Sequence, residues 1–213
     1  MADFTGKKLF SIKTVCIVTG ASRGIGRSIV VNFASKFPPG SVVIALARDL
    51  EQLAVTKTLS TKASTGVPCV THLFDQGSLD QHKYDALLKD CLQGRVASEF
   101  QQAMIVHNAG SVGSEFCLNL TNVTQVSHYL DVNVAGLVAL NAQFMQMFKD
   151  VPSKVVVNIT SLSAVQPMAS WGLYCSAMEK SLLSPETTVN RLIAILEKNV
   201  FESGAHIDYF DDQ

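Results

Sequence analysis

Eight residues, Thr19-Gly20-Ala21-Ser22-Arg23-Gly24-Ile25-Gly26, carry the clearest chemistry in this chain, and that chemistry is anion binding. Glycines let the backbone approach a ligand closely, and the unpaired N–H groups at a helix start point towards negative charge. On its own such a pattern is weak. Here it is preceded by the apolar run Val15-Cys16-Ile17-Val18, a short buried strand, and followed by Ser28 to Ala34, with the apolar spacing of a helix. Strand, glycine turn and helix N-terminus together are the context in which a pyrophosphate is cradled.

A second group of residues bears on which dinucleotide would fit. In NAD-binding domains an acidic residue ending the second strand holds the ribose, whereas this chain reads Ala47-Arg48-Asp49. Either Arg48 or Arg23 alone reads as a solvated surface residue. The two together after a glycine turn favour pairing with a 2′-phosphate, so NADP(H) is expected over NAD(H), with the adjacent Asp49 weakening the discrimination. Asp75, with Gln76 beside it, stands where an adenine amino group could be accepted; as a loop aspartate it reads equally as a turn former. Asn108-Ala109-Gly110 closes the fourth expected strand with residues small enough for close approach of a cofactor.

The elements that must position these groups alternate along the chain. Strands are expected at Val15–Val18, Ser41–Leu46, Val67–Leu73, Gln102–Val106 and Val155–Ile159. Helices are expected after the glycine turn, from Asp49 to about Ala63, from Leu79 to Leu92 and from about Val123 to Phe148. Continuous apolar strands separated by helices argue for a doubly wound parallel α/β sheet of Rossmann type, covered on both faces. A helical stretch begins at Tyr174 and is interrupted at Ser184-Pro185, whose capping serine and first-turn proline start a fresh helix to about Lys198. Ala205 to Phe210 reads as a short terminal strand, and no strand is expected between Ile159 and Ala205.

Bulk properties set the class. A chain of 213 residues, 47% hydrophobic and 16% charged, suffices for one α/β domain over residues 1–213. A net charge of -1 offers no electrostatic case for nucleic acid or an anionic membrane. No apolar run reaches the length of a membrane span, and Met1 to Thr5 lacks the order of a secretory leader, so the cytoplasm is expected. The five cysteines are scattered, with no C-x-x-C pair, so reduced thiols and no metal site are expected.

Ser161 ends the fifth strand, Tyr174 lies thirteen positions later and Asn133 sits in the long helix. With Thr19–Gly26 and Asn108-Ala109-Gly110, these residues make the chain resemble a short-chain dehydrogenase/reductase. Within that family it is similar to the NADPH-dependent pterin carbonyl reductases of tetrahydrobiopterin synthesis. The closer likeness rests on Val156 to Leu162, Gln166-Pro167 through Trp171 to Tyr174-Cys175, and Ser203 to Asp208. The resemblance implies hydride transfer from the nicotinamide of NADPH to a ketone such as sepiapterin. Ser161 would hydrogen-bond the carbonyl oxygen, Tyr174 would protonate it, and Asn133 would hold a water in the proton path. Leu162 would line the substrate, and Asp208 would anchor the pterin ring, although a solvated aspartate near the chain end reads equally well.

The likeness breaks after Ala177. The family places a lysine four residues beyond the tyrosine, and here that position is Met178. A cation about 4 Å away is worth about 4 kcal/mol at an effective dielectric of about 20, and without it a tyrosine of ordinary pKa about 10 has little reason to titrate near neutrality. Lys180 is no substitute, since two residues along a helix is a rotation of roughly 200°. Residues 1–177 therefore read as the family core and 178–213 as a shortened helix and strand, with several tens of residues missing, as in a splice variant or a mis-assembled gene. A sheet one strand and one helix short is expected. The homodimer common in the family is placed in doubt, and a catalytically silent form that binds NADP(H) or partner subunits stands as the alternative.

Overall fold

The computed structural model describes residues 9–111, 122–160 and 185–198. Five strands form one sheet: β1 (Thr14–Thr19), β2 (Val42–Ala47), β3 (Cys69–Leu73), β4 (Gln102–His107) and β5 (Ser153–Asn158). Every pairing is parallel and the order is β3-β2-β1-β4-β5. The chain winds outward from β1 to β3, then returns to lay β4 against the other side of β1. The order therefore reverses between β1 and β4, and a dinucleotide binds in the crevice beyond the strand ends at such a reversal.

Helices α1 (Gly24–Lys36), α2 (Leu50–Ala63) and α6 (Pro185–Lys198) cover one face, burying Ile29, Phe33, Leu53, Val189 and Ile193 against Cys16, Val18, Val43 and Met104. On the other face lie α3 (Gln81–Leu92) and α5 (Gly136–Met147), which bury Leu87, Leu88, Leu140 and Phe144 against Val15, Ile17, Ile44 and Ile105. This is why β1, β2 and β4 are buried at every position: side chains of both parities meet a helix layer. The expected Rossmann-type α/β fold with helices on both faces is the fold observed.

The departures from the sequence reading are small and have local causes. Helix α3 begins at Gln81, not Leu79, because Asp80 caps it by accepting the His82 N–H at 3.1 Å. The expected helix over 123–148 is continuous but not uniform: α4 (Val123–Leu130) widens into a π-turn at Asp131–Ala135 before α5 resumes. Helix α6 spans the expected residues, with Lys36 and Glu197 paired at 2.7 Å between α1 and α6. Among the described residues β5 forms one edge of the sheet, with Val156 exposed. The expected terminal strand over 205–210 lies outside the described residues.

Candidate functional site

The glycine turn joins β1 to α1 at the point where the strand order reverses. Gly20 and Gly24 both take left-handed backbone angles, with φ of +65° and +56°. A Cβ on Gly20 would lie 2.9 Å from the Ala109 Cα, and one on Gly26 would lie 2.5 Å from the Asn108 Nδ2 and collide with the Gly20 carbonyl. Those two glycines are required by the close approach of the loop after β4. Gly24 differs, since a Cβ there would meet nothing within 4 Å. Its glycine is required by backbone conformation, and its face is open to a ligand.

The ends of β1 and β4 are bonded to each other through side chains. The Thr19 hydroxyl accepts the N–H groups of Asn108 at 3.0 Å and Ala109 at 2.9 Å, and lies 3.5 Å from the Val106 carbonyl. The Asn108 side-chain amide donates to the Thr19 carbonyl at 3.0 Å and the Gly20 carbonyl at 3.3 Å. The turn is also held from the α2 side. The Ala21 N–H donates to Leu46 at 3.1 Å, and the Thr56 hydroxyl donates to the Ala21 carbonyl at 2.9 Å. Arg27 bonds Thr56 at 3.1 Å, the Gln52 side chain at 2.7 Å and the Ser22 carbonyl. The sequence places Thr19 in the glycine turn but not as the tie between β1 and the loop after β4, and it does not single out Arg27. For Thr19 a signal existed, a hydroxyl residue ending a buried strand before a glycine; for Arg27 there was none.

Helices α2, α3 and α4 start with side-chain caps. Asp49 caps α2 by accepting the Gln52 N–H at 3.0 Å, Asp80 caps α3, and Asn122 accepts the N–H groups of Thr124 and Gln125 at the start of α4. Helix α1 has no side-chain cap and no acidic residue in its first turn. Gly24 opens this helix with free space at its Cβ position, Ile25 beside it is half-buried, and the exposed Arg23 stands at the cap position. Arg48 is exposed at the end of β2. These donors, and the space a Cβ on Gly24 would fill, fit the pyrophosphate and phosphate groups of a dinucleotide.

Beyond β3, Asp75 Oδ1 accepts the Gly77 N–H at 3.1 Å, the role of a turn former. Gln76 is buried, and its side-chain Nε2 donates to the Val132 carbonyl at 2.6 Å, with the Ala109 carbonyl at 3.4 Å. The Tyr84 hydroxyl donates to the Gln76 carbonyl at 2.9 Å; burial, and then the charge of Asp75, push that phenol up to about 12. Asn133 lies in the π-turn. Its Oδ1 accepts the Ser111 N–H at 2.9 Å, and its Nδ2 donates to the Ser111 and Tyr129 carbonyls, each at 3.0 Å. Gly110, between Ala109 and Ser111, is exposed at the mouth of the crevice.

His107 was also passed over by the sequence reading. It ends β4 with its Nε2 3.4 Å from Asn141 Oδ1 and its buried Nδ1 without a partner. Burial lowers its pKa, against a smaller opposing effect of the Asn141 contact. The described cysteines Cys16, Cys69 and Cys91 are buried, and burial raises all three thiols, Cys69 to about 11. Among the described residues no group of three His, Cys, Asp or Glu side chains could hold a metal ion, and no helix is long and apolar enough to cross a membrane. Ser161, Leu162, Tyr174, Met178 and Asp208 lie outside the described residues. The structure thus sets Gly20 to Gly26, Arg48, Asp49, Asp75, Gln76 and Asn108 to Gly110 after the carboxyl ends of β1 to β4, with Asn133 bonded to Ser111.

Comparison with known proteins gives this arrangement a context. The short chain dehydrogenase family model matches residues 14–179. Sepiapterin reductase of Rattus norvegicus is 27% identical over 254 residues, covering 92% of this chain and 96% of its own length. That alignment is longer than the 213 residues of this chain, so the relative carries residues with no counterpart here. Sepiapterin reductase of Xenopus tropicalis is 30% identical over 191 residues, 87% of this chain and 70% of its own. Among solved structures, an Escherichia coli CFT073 protein complexed with NADPH superposes with a TM-score of 0.67 at 22% identity, over 80% of this chain and 68% of that one.

Proposed function

The chain belongs to the short-chain dehydrogenase family, and from that premise we propose that it binds NADP(H) in preference to NAD(H) and reduces the side-chain carbonyl of a pterin, as sepiapterin reductases do. The observation that carries the cofactor half is the start of α1, uncapped by any side chain and opened by Gly24, at which a Cβ would meet nothing within 4 Å. The exposed Arg23 and Arg48 favour a 2′-phosphate, and the engagement of Asp49 as the cap of α2 supports that choice by drawing one carboxylate oxygen away from a ribose. Asp75 and the small loop Asn108-Ala109-Gly110 would meet the adenine and nicotinamide sides in turn. The substrate class rests on the likeness to sepiapterin reductases.

When bound, NADPH supplies the hydride. Ser161 would orient the ketone oxygen by donating to it, and Tyr174 would hold the proton that oxygen receives. Asn133 keeps the loop at Ser111 in register beside that reaction space. Leu162 and Asp208 would face the substrate. The free, buried thiols of Cys16, Cys69 and Cys91 among the described residues support a reducing compartment such as the cytoplasm.

A second reading is favoured by Met178, where the family's lysine is expected, and by the relatives' extra length: a shortened form that binds NADP(H), or pairs with full-length subunits, with little turnover. One experiment separates the two. NADPH oxidation is followed with sepiapterin for the natural chain and for Tyr174→Phe. Turnover that the substitution abolishes supports the reductase, and NADPH binding without turnover supports the silent form.

A further inference from the structure

We propose that Gln76 is a positioning residue: its buried side-chain amide ties the loop after β4 to the π-turn and so keeps Asn133 clamped on Ser111. What this clamp serves rests on the carbonyl-reductase reading; that the clamp depends on Gln76 does not.

The same two segments are stitched twice. On the outer side Asn133 reaches from the π-turn to both backbone groups of Ser111. On the inner side Gln76 Nε2 lies 2.6 Å from the Val132 carbonyl and 3.4 Å from the Ala109 carbonyl. Val132 precedes Asn133, and Ala109 stands two residues before Ser111, so both amides span one gap. The outer bonds are exposed and compete with water, whereas the bond to Val132 is buried. Both partners of Nε2 are carbonyl acceptors, so the amide has only one workable orientation. That orientation leaves Gln76 Oε1 buried without a partner. A plain packing role would be filled better by an apolar side chain, which leaves no orphaned acceptor.

The surroundings fix the register. A Cβ on Gly136 would overlap the Gln76 carbonyl, and one on Gly77 would lie 2.6 Å from Val132 Cγ2. The Tyr84 hydroxyl donates to the Gln76 carbonyl at 2.9 Å, with the Gly136 carbonyl at 3.4 Å. A π-turn departs from the regular helix ladder, and here the Gly136 N–H reaches the Asp131 carbonyl. Gln76 supplies a side-chain donor within that widened turn.

The test is amide hydrogen exchange at Ser111, whose N–H is itself the bond to Asn133, measured on the full chain without cofactor. Gln76→Met keeps the bulk and removes the donor. Its Ser111 protection is expected to fall about tenfold or more while amides of β1 and β2 keep theirs. Gln76→Glu adds a rescue: the carboxylate has no hydrogen to give Val132, and protection is expected to return towards the natural value as acidification protonates it. Tyr84→Phe, which leaves the amide in place, is expected to give a smaller loss at the same residue, and serves if the Gln76 variants do not fold. Cofactor binding reads the other half. Affinity for 2′,5′-ADP is expected to stay within about twofold of the natural chain in Gln76→Met, and that for NADPH to weaken about tenfold. Unchanged protection at Ser111, or an equal loss throughout the sheet, overturns the proposal. A natural chain that binds neither nucleotide overturns the cofactor reading instead, and the exchange at Ser111 still judges Gln76.

Discussion

Replacing Thr19 by valine tests whether one hydroxyl holds the two halves of the crevice together. Thr19 is fully buried, and valine preserves its shape while removing the oxygen that accepts the Asn108 and Ala109 N–H groups. A buried donor left unpaired costs about 1–3 kcal/mol. Asn108 and Ala109 are half-buried, so water recovers part of that, and the expected destabilisation is about 2–4 kcal/mol for the pair. Thr19→Ser is the control: it keeps the acceptor and loses one methyl group, worth about 1 kcal/mol. Urea unfolding of the three proteins, read by far-UV circular dichroism, decides between them. With a slope of about 2 kcal/mol per molar, valine is expected to lower the midpoint by about 1–2 M and serine by about 0.5 M. A valine variant as stable as the serine variant would refute the reasoning, because the two N–H groups would then have found other partners at no cost.

Four further outcomes are expected. Gly26→Ala drives a Cβ against Asn108 and the Gly20 backbone and is expected to cost about 1–3 kcal/mol and abolish NADPH binding. Gly24→Ala, whose Cβ meets open space at φ +56°, is expected to cost about 1–2 kcal/mol; thermal melts and fluorescence titration check both. Arg48→Ala is expected to weaken NADPH binding about tenfold or more with NADH affinity unchanged, read by calorimetric titration with both nucleotides. Burial holds the folded His107 below its ordinary value of 6.5, so below that pH the unfolded chain takes up a proton that the folded chain refuses. Its contribution to stability is therefore complete above about pH 6.5 and is lost as pH falls towards the folded-state value; His107→Asn is expected to flatten that slope in urea midpoints measured across the range.

Much of the fold was legible because its causes are local. Strand and helix periodicities, the first-turn Pro185 of α6 and the glycine turn all act within a few residues, and each expected element among the described residues lies where that spacing puts it, to within two residues at its ends. Asp49 shows the limit of such reading. Beside Arg48 it looked available to a ribose, yet the position of α2 gives its carboxylate the Gln52 N–H. The chemical residues Ser161 and Tyr174 were identified by resemblance alone, and no spacing rule would have paired them.

By itself the sequence determined an alternating α/β chain and a glycine turn between a strand and a helix; pyrophosphate binding there, the cationic choice at Arg23 and Arg48 and the lysine expected at Met178 are proposals that rest on it. Only the tertiary structure decided how the turn is held and what aims it. Thr19 meets Asn108 across a separation of 89 residues, Gln76 meets Val132 across 56, and Asn133 meets Ser111 across 22. Such contacts leave no periodic trace, because they exist only once the strand order reverses between β1 and β4 and brings distant loops to one edge. The π-turn belongs with them: widening a helix at Asn133 is unfavourable locally and persists because Gln76, Gly77 and Gly136 fit against it.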